Sequence, residues 1–228
     1  MVATLVLETG LALYTAWRYK MTMLTRLAII MLVGLATFQL AEYFVCTSYG
    51  LHAEQWSRLG FIAISTLPPL GIHIMHQLDA KPRRKLVVAA YATMVGFIVF
   101  FLMYRTAFIG YRCSGNYVIF QLGARASMAY GVYYYGWLAT GIGLGMRWAN
   151  ELLAKGHAGL KKLQAVRGFI LGYLVFLIPT AIANTFKPET RRGIPSVMCG
   201  FAVLFALILV FYILPRTALH RRASKAST

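Results

Sequence analysis

Two of the six acidic side chains in the sequence, Glu8 and Glu42, stand inside long apolar blocks. An ionisable group in such a block is expensive, and it usually faces the interior of a helix bundle or a wet cavity. Gln39, Glu42, Tyr43 and Cys46 recur at i, i+3, i+4 and i+7, so a helix places them on one face. Glu42 stands about four residues, or roughly 6 Å of helical rise, inside the C-terminal end of its block. Glu8 is expected at a comparable depth. In a later block Pro179 removes a backbone donor, and Thr180 and Asn184 share a face at i and i+4. Carboxylate, amide and hydroxyl groups so placed suit recognition of a small ligand, above all one carrying a cation or an amine. The ligand-binding candidates are therefore Glu42, Gln39, Glu8, Tyr43, Thr180 and Asn184. A structural reading stands beside this one, in which Glu42 is protonated or paired with an arginine such as Arg58 or Arg125.

Other constellations carry less. His73, His76 and Asp79 repeat every third residue and could supply part of a metal site. No second His or Cys cluster stands on the same side in another block, so interfacial hydrogen bonding is the preferred reading. The same shortage argues against haem, and no metal or other cofactor is expected. The last block has no lysine for a retinal Schiff base and no His pair for an intramembrane metal hydrolase. No GxSxG, HExxH or glycine-rich phosphate loop occurs, so no catalytic residue is assigned. Gly141 and Gly145 form a GxxxG that permits close helix contact, with packing inside the chain preferred over a dimer seam.

The elements that must position these residues are membrane helices. Of 228 residues, 59% are hydrophobic and only 13% charged, with the apolar residues in blocks rather than at amphipathic spacing. A helix needs about 20 mostly apolar residues to cross the hydrocarbon layer. Six blocks meet or approach that length, at 27–47, 59–77, 86–104, 127–146, 169–186 and 197–214. A seventh, 2–17, is shorter; it crosses as a first span or lies at the interface. No positive charge precedes it, and Arg18 and Lys20 follow it, which is the reverse of a signal peptide. The formal charge of +17 resides in the loops, so it orients the chain against the bilayer; nucleic acid is not an expected partner.

Loops after the first, third and fifth blocks, with the tail, hold sixteen Lys and Arg, against seven in the others. The positive-inside rule therefore predicts an all-α, polytopic bundle of seven transmembrane helices, N-terminus out and C-terminus in. Two loops are long. The outer one, 105–126, contains an apolar stretch, 117–122, that can fold back on the bundle. The inner one, 147–167, reads as a basic helical extension lying on the anionic membrane surface. Cys46, Cys113 and Cys199 all fall near the outer face, the side on which an oxidising compartment lies, and Cys46–Cys113 is the expected disulfide. Cys199, a turn inside the last span, reads as a buried packing residue.

The order of features resembles a family. A short first span ends at Trp17-Arg18, and a second carries Phe38 and Glu42. A third opens Trp56-Ser57-Arg58-Leu59-Gly60-Phe61 and contains Leu67-Pro68-Pro69. The last pair runs from Gly168-Phe169-Ile170-Leu171-Gly172 through Pro179 and Ile194-Pro195-Ser196 to Ile213-Leu214-Pro215-Arg216. This resembles the seven-helix N-terminal sensor region of bacterial histidine kinases and related uncharacterised bacterial membrane proteins. The resemblance implies a stand-alone, receptor-like sensor in the bacterial inner membrane. It would bind a small molecule from outside and signal through a separate cytoplasmic or membrane partner. The rival expectation is a small-solute transporter. A three-plus-three repeat would favour it, but only a faint echo of Gly60-Phe61-Ile62 in Gly168-Phe169-Ile170 is present.

Overall fold

The computed structural model of the chain describes residues 1–47, 49–78, 84–104, 107–114, 117–154, 160–186 and 194–217. Helices dominate it, in keeping with the all-α expectation: α1 (Val2–Arg18), α2 (Met23–Thr47), α3 (Ala53–Ser65), α4 (Leu67–Leu78) and α5 (Arg84–Met103). A hairpin of two strands follows, β1 (Phe108–Ser114) and β2 (Tyr117–Leu122), and then α6 (Ala124–Leu153), α7 (Leu160–Phe186) and α8 (Ile194–Ile208). The last helix runs on through a π-helical segment, Leu209–Ile213, to a final turn, α9 (Leu214–Thr217).

Five helical stretches are long and apolar enough to cross a membrane: Met23–Thr47, Ala53–Leu78, Arg84–Met103, Leu160–Ile182 and Pro195–Thr217. The chain is thus a multi-pass membrane protein. The other two helices of the expected seven are α1, which is short at 17 residues, and α6, whose 30 residues are diluted by glycine and tyrosine. α5 makes the case for lipid most directly, because it buries only Ala90 and Phe101 and exposes Val88, Val95, Val99 and Leu102. A helix apolar on all sides with almost no buried stripe has no other favourable solvent.

The rod α3–α4 is the most deeply buried element, and it is interrupted at Thr66. Pro68 and Pro69 lack N–H groups, which leaves the carbonyls four residues earlier without helical donors. Tyr133 of α6 donates its hydroxyl to one of them, the Ser65 carbonyl, at 2.6 Å. Ser65 itself donates back to Phe61, and Thr66 to Ala63. The break is thus satisfied inside the bundle, as apolar surroundings require. Around the rod, α2 packs on α1 and α3, α6 on α4 and α7, and α7 on α8. Gly141 and Gly145 lie against Tyr173 and Ile170 of α7, so the GxxxG works within the chain.

One loop expectation holds and gains a form, and another changes. The stretch 117–122 is a strand, paired antiparallel with β1 from Phe108↔Leu122 to Ser114↔Tyr117, with an irregularity between Phe108 and Gly110. Phe120 plugs this hairpin into the bundle, with ring centroids 5.9 Å from Phe38 and 5.4 Å from Phe61. Among its described residues, the inner basic stretch forms no separate surface helix. Its described parts simply continue α6 and α7, with Trp148 and Leu163 buried and Trp148 edge-on to His76 at 5.3 Å. Burying such apolar side chains within the bundle is more favourable than leaving them at the interface.

Candidate functional site

Three elements meet beneath the hairpin. The disulfide Cys46–Cys113 joins the last turn of α2 to β1, with Cα atoms 5.8 Å apart. One turn earlier on α2, the Glu42 carboxyl hydrogen-bonds the Ser196 side chain of α8 and the Val118 backbone of β2. Ser196 Oγ donates its one proton to the Val118 carbonyl. Glu42, Ser196 and Val118 are all buried, so this knot ties α2, α8 and β2 away from water. Hydrogen bonds to a charged or polar group in such surroundings are strengthened, and broken ones are correspondingly costly.

Glu8 approaches the knot from α1. It is fully buried, and neither of its carboxyl oxygens has a hydrogen-bond partner among the described residues; one Glu42 oxygen is in the same condition. Glu8 and Glu42 interact electrostatically with each other and with the thiol of Cys199 on α8. Gln39, a turn from Glu42, is also buried. The structure therefore brings Glu8, Gln39 and Glu42 to one end of the bundle. It does not add the remaining candidates. Tyr43 is 37% exposed at the edge of the α2 face, its ring 5.6 Å from Phe44. Thr180 is buried, but its hydroxyl is taken by the Phe176 carbonyl at 2.7 Å. The side chain of Asn184 lies outside the described residues. Asp79 lies outside them too; His76 bonds the Ile72 carbonyl, and His73 bonds Tyr91.

On the other side of Cys199 is a cavity of about 510 Å³. β2 supplies Phe120 and Gln121 to its wall, α6 supplies Ser127, Tyr130, Tyr134 and Tyr135, and α8 supplies Met198 and Cys199. Tyr135 donates to the Met198 sulfur at 3.3 Å, and the Tyr130 and Ser65 hydroxyls are hydrogen-bonded at 3.3 Å. A much smaller void of about 30 Å³, large enough for one water by volume, shares Tyr134, Met198 and Cys199 with the cavity and lies deeper among α2, α4 and α7. Glu42 and Gln39 are not in the cavity wall, so the carboxyl cluster and the cavity are adjoining parts with Cys199 between them. Sequence reasoning missed this aromatic wall. Its signal was the run Tyr130-Gly131-Val132-Tyr133-Tyr134-Tyr135, which puts tyrosine on several faces of a glycine-rich helix.

Fold and site together define a multi-pass helical membrane protein with an aromatic cavity roofed by a disulfide-anchored hairpin. Comparison of the chain with family models, with curated proteins and with solved structures found no match.

Proposed function

We propose that this chain is a seven-helix sensor of the bacterial inner membrane, N-terminus out and C-terminus in, that binds a small molecule in the hairpin-roofed cavity and signals through a separate partner. The cavity carries this reading. Its volume of about 510 Å³ falls in the ordinary range for small-molecule sites, and its wall is aromatic with few polar groups, as such sites usually are. The ligand class is a compact, largely apolar molecule whose polar group meets Gln121, Ser127 or Tyr135. A basic group directed at the Cys199 side finds its countercharge in Glu42 and Glu8. β2 serves both parts, because Phe120 and Gln121 face the ligand while Val118 is held by Ser196 and Glu42. A ligand that favours one position of β2 thereby favours one arrangement of α2 and α8, which is how differential binding shifts a two-state equilibrium.

The test is ligand-induced thermal stabilisation of the purified protein across a small-molecule panel, repeated with Gly131→Phe. Gly131 lies in the cavity wall with open space where a Cβ would go, so phenylalanine fills the site without a backbone clash. The expected outcome is a hit whose stabilisation disappears in the variant while the unliganded melting temperature holds. A panel hit equally effective in both proteins would remove the cavity from the function. Solute flux into proteoliposomes that Gly131→Phe blocks would assign the same cavity to transport instead.

A further inference from the structure

A second space lies on the opposite side of α6 from the cavity. It is an open cleft of about 670 Å³ between α5 and α6, walled by Gly96, Phe97 and Phe100 on one side and Ala124, Ala126 and Ala129 on the other. At its lower end stands Thr93, whose Oγ1 accepts from Trp137 Nε1 at 2.9 Å. At its upper end, by the hairpin, stand Tyr104 and Arg125. From Thr93 to Tyr104 the helix rises about 16 Å. One leaflet contributes about 15 Å of hydrocarbon. The cleft is thus one leaflet deep, apolar along its length and basic at its mouth.

We propose that this cleft binds one phospholipid of the leaflet at the hairpin end, an acyl chain lying along it and the phosphate at Arg125. Charge decides the headgroup. Arg125 is exposed, and the ion pairs among the described residues are Arg58–Glu54 and Arg147–Glu151, neither of which involves it. It stands in the first turn of α6, where Gly123 provides no side-chain cap, so a cation there opposes the helix dipole unless an anion joins it. An acyl chain is slim enough to follow the glycine and alanine wall.

The experiment is native mass spectrometry of the full chain in detergent, titrated with phosphatidylglycerol and with the diacylglycerol of the same acyl chains. Wild type is expected to retain the phospholipid about tenfold better, the ratio expected for at least one charge-assisted hydrogen bond. Arg125→Gln should bring the two lipids to near parity. Gly96→Leu should lower retention of both, and it is a safe substitution because nothing lies within 4 Å of the added Cβ. Melting temperatures in lipid-free detergent confirm that both variants fold. Equal retention of the two lipids by wild type overturns the proposal, as does undiminished phospholipid retention by either variant.

Discussion

Glu42 is held by two partners, and they say which replacement it tolerates. Ser196 and the Val118 backbone both bond its carboxyl, and the shell around it is buried. An amide keeps the shape and can still accept and donate, whereas alanine leaves those partners facing an empty, apolar space. Glu42→Ala is therefore expected to cost about 1–3 kcal/mol, the usual penalty for stranding buried polar groups. Glu42→Gln should keep the melting temperature within a few degrees of wild type while weakening amine-bearing ligands more than neutral ones. Thermal unfolding of both variants in one detergent, with and without such a ligand, checks both halves. Equal melting temperatures for Glu42→Ala and wild type would show that the knot contributes nothing to stability. Glu42 and Glu8 were legible in the sequence because a carboxyl in an apolar block stands out by its transfer cost alone. The cavity residues were not, since Tyr134 and Met198 are ordinary membrane-helix residues until the fold places them around a space.

Elements were legible where hydropathy alone determines them, and less so where backbone hydrogen bonds do. The membrane-length helices follow from block length, and Pro68–Pro69 marked the break between α3 and α4. What closes the break, the Tyr133 hydroxyl on the Ser65 carbonyl, depends on the angle at which α6 crosses the rod and leaves no local trace. The hairpin is similar. β2 announced itself as an apolar stretch, but β1 (Phe-Ile-Gly-Tyr-Arg-Cys-Ser) mixes glycine and arginine, and only pairing with β2 makes it a strand. Phe120, Val118 and the disulfide then fix the hairpin to the bundle. Closing a loop of 67 residues, Cys46–Cys113 restricts the unfolded chain as well as anchoring the roof. Its loss is expected to cost about 2–4 kcal/mol. Reductant should lower the melting temperature of wild type to that of the Cys46→Ser, Cys113→Ser double variant and leave the variant unmoved. Reductant acting equally on both would mean that the stabilisation comes from elsewhere.

At the scale of the whole molecule, the burial pattern shows a bundle built for lipid, with α3–α4 central and α5 almost wholly on the outside. The hairpin end gathers the disulfide, the carboxyl cluster, the cavity and the cleft. The other end is held by Tyr19, whose hydroxyl donates to the Val210 carbonyl in the π segment at 3.2 Å, and by Arg216, which donates to Gln164. Which end faces out is a question of charge. In the sequence, the segments expected inside hold sixteen of the basic residues, against seven in the segments expected outside. The positive-inside rule keeps the more basic side in the cytoplasm, so the proposed orientation has the hairpin facing out. A disulfide at that end fits the proposed orientation, because such bonds persist in oxidising compartments outside the cytoplasm. Reporter fusions separate the possibilities. Fusions after Arg84 and within 155–162 should be active as cytoplasmic reporters, and one after Gly115 as an exterior reporter. A fusion at Met1 tests α1 alone: an exterior signal means that its 17 residues cross, and a cytoplasmic one that α1 lies along the bundle without crossing. An exterior signal from 155–162 would reverse the orientation, place the disulfide in a reducing compartment, and turn the roofed cavity toward the inside of the cell.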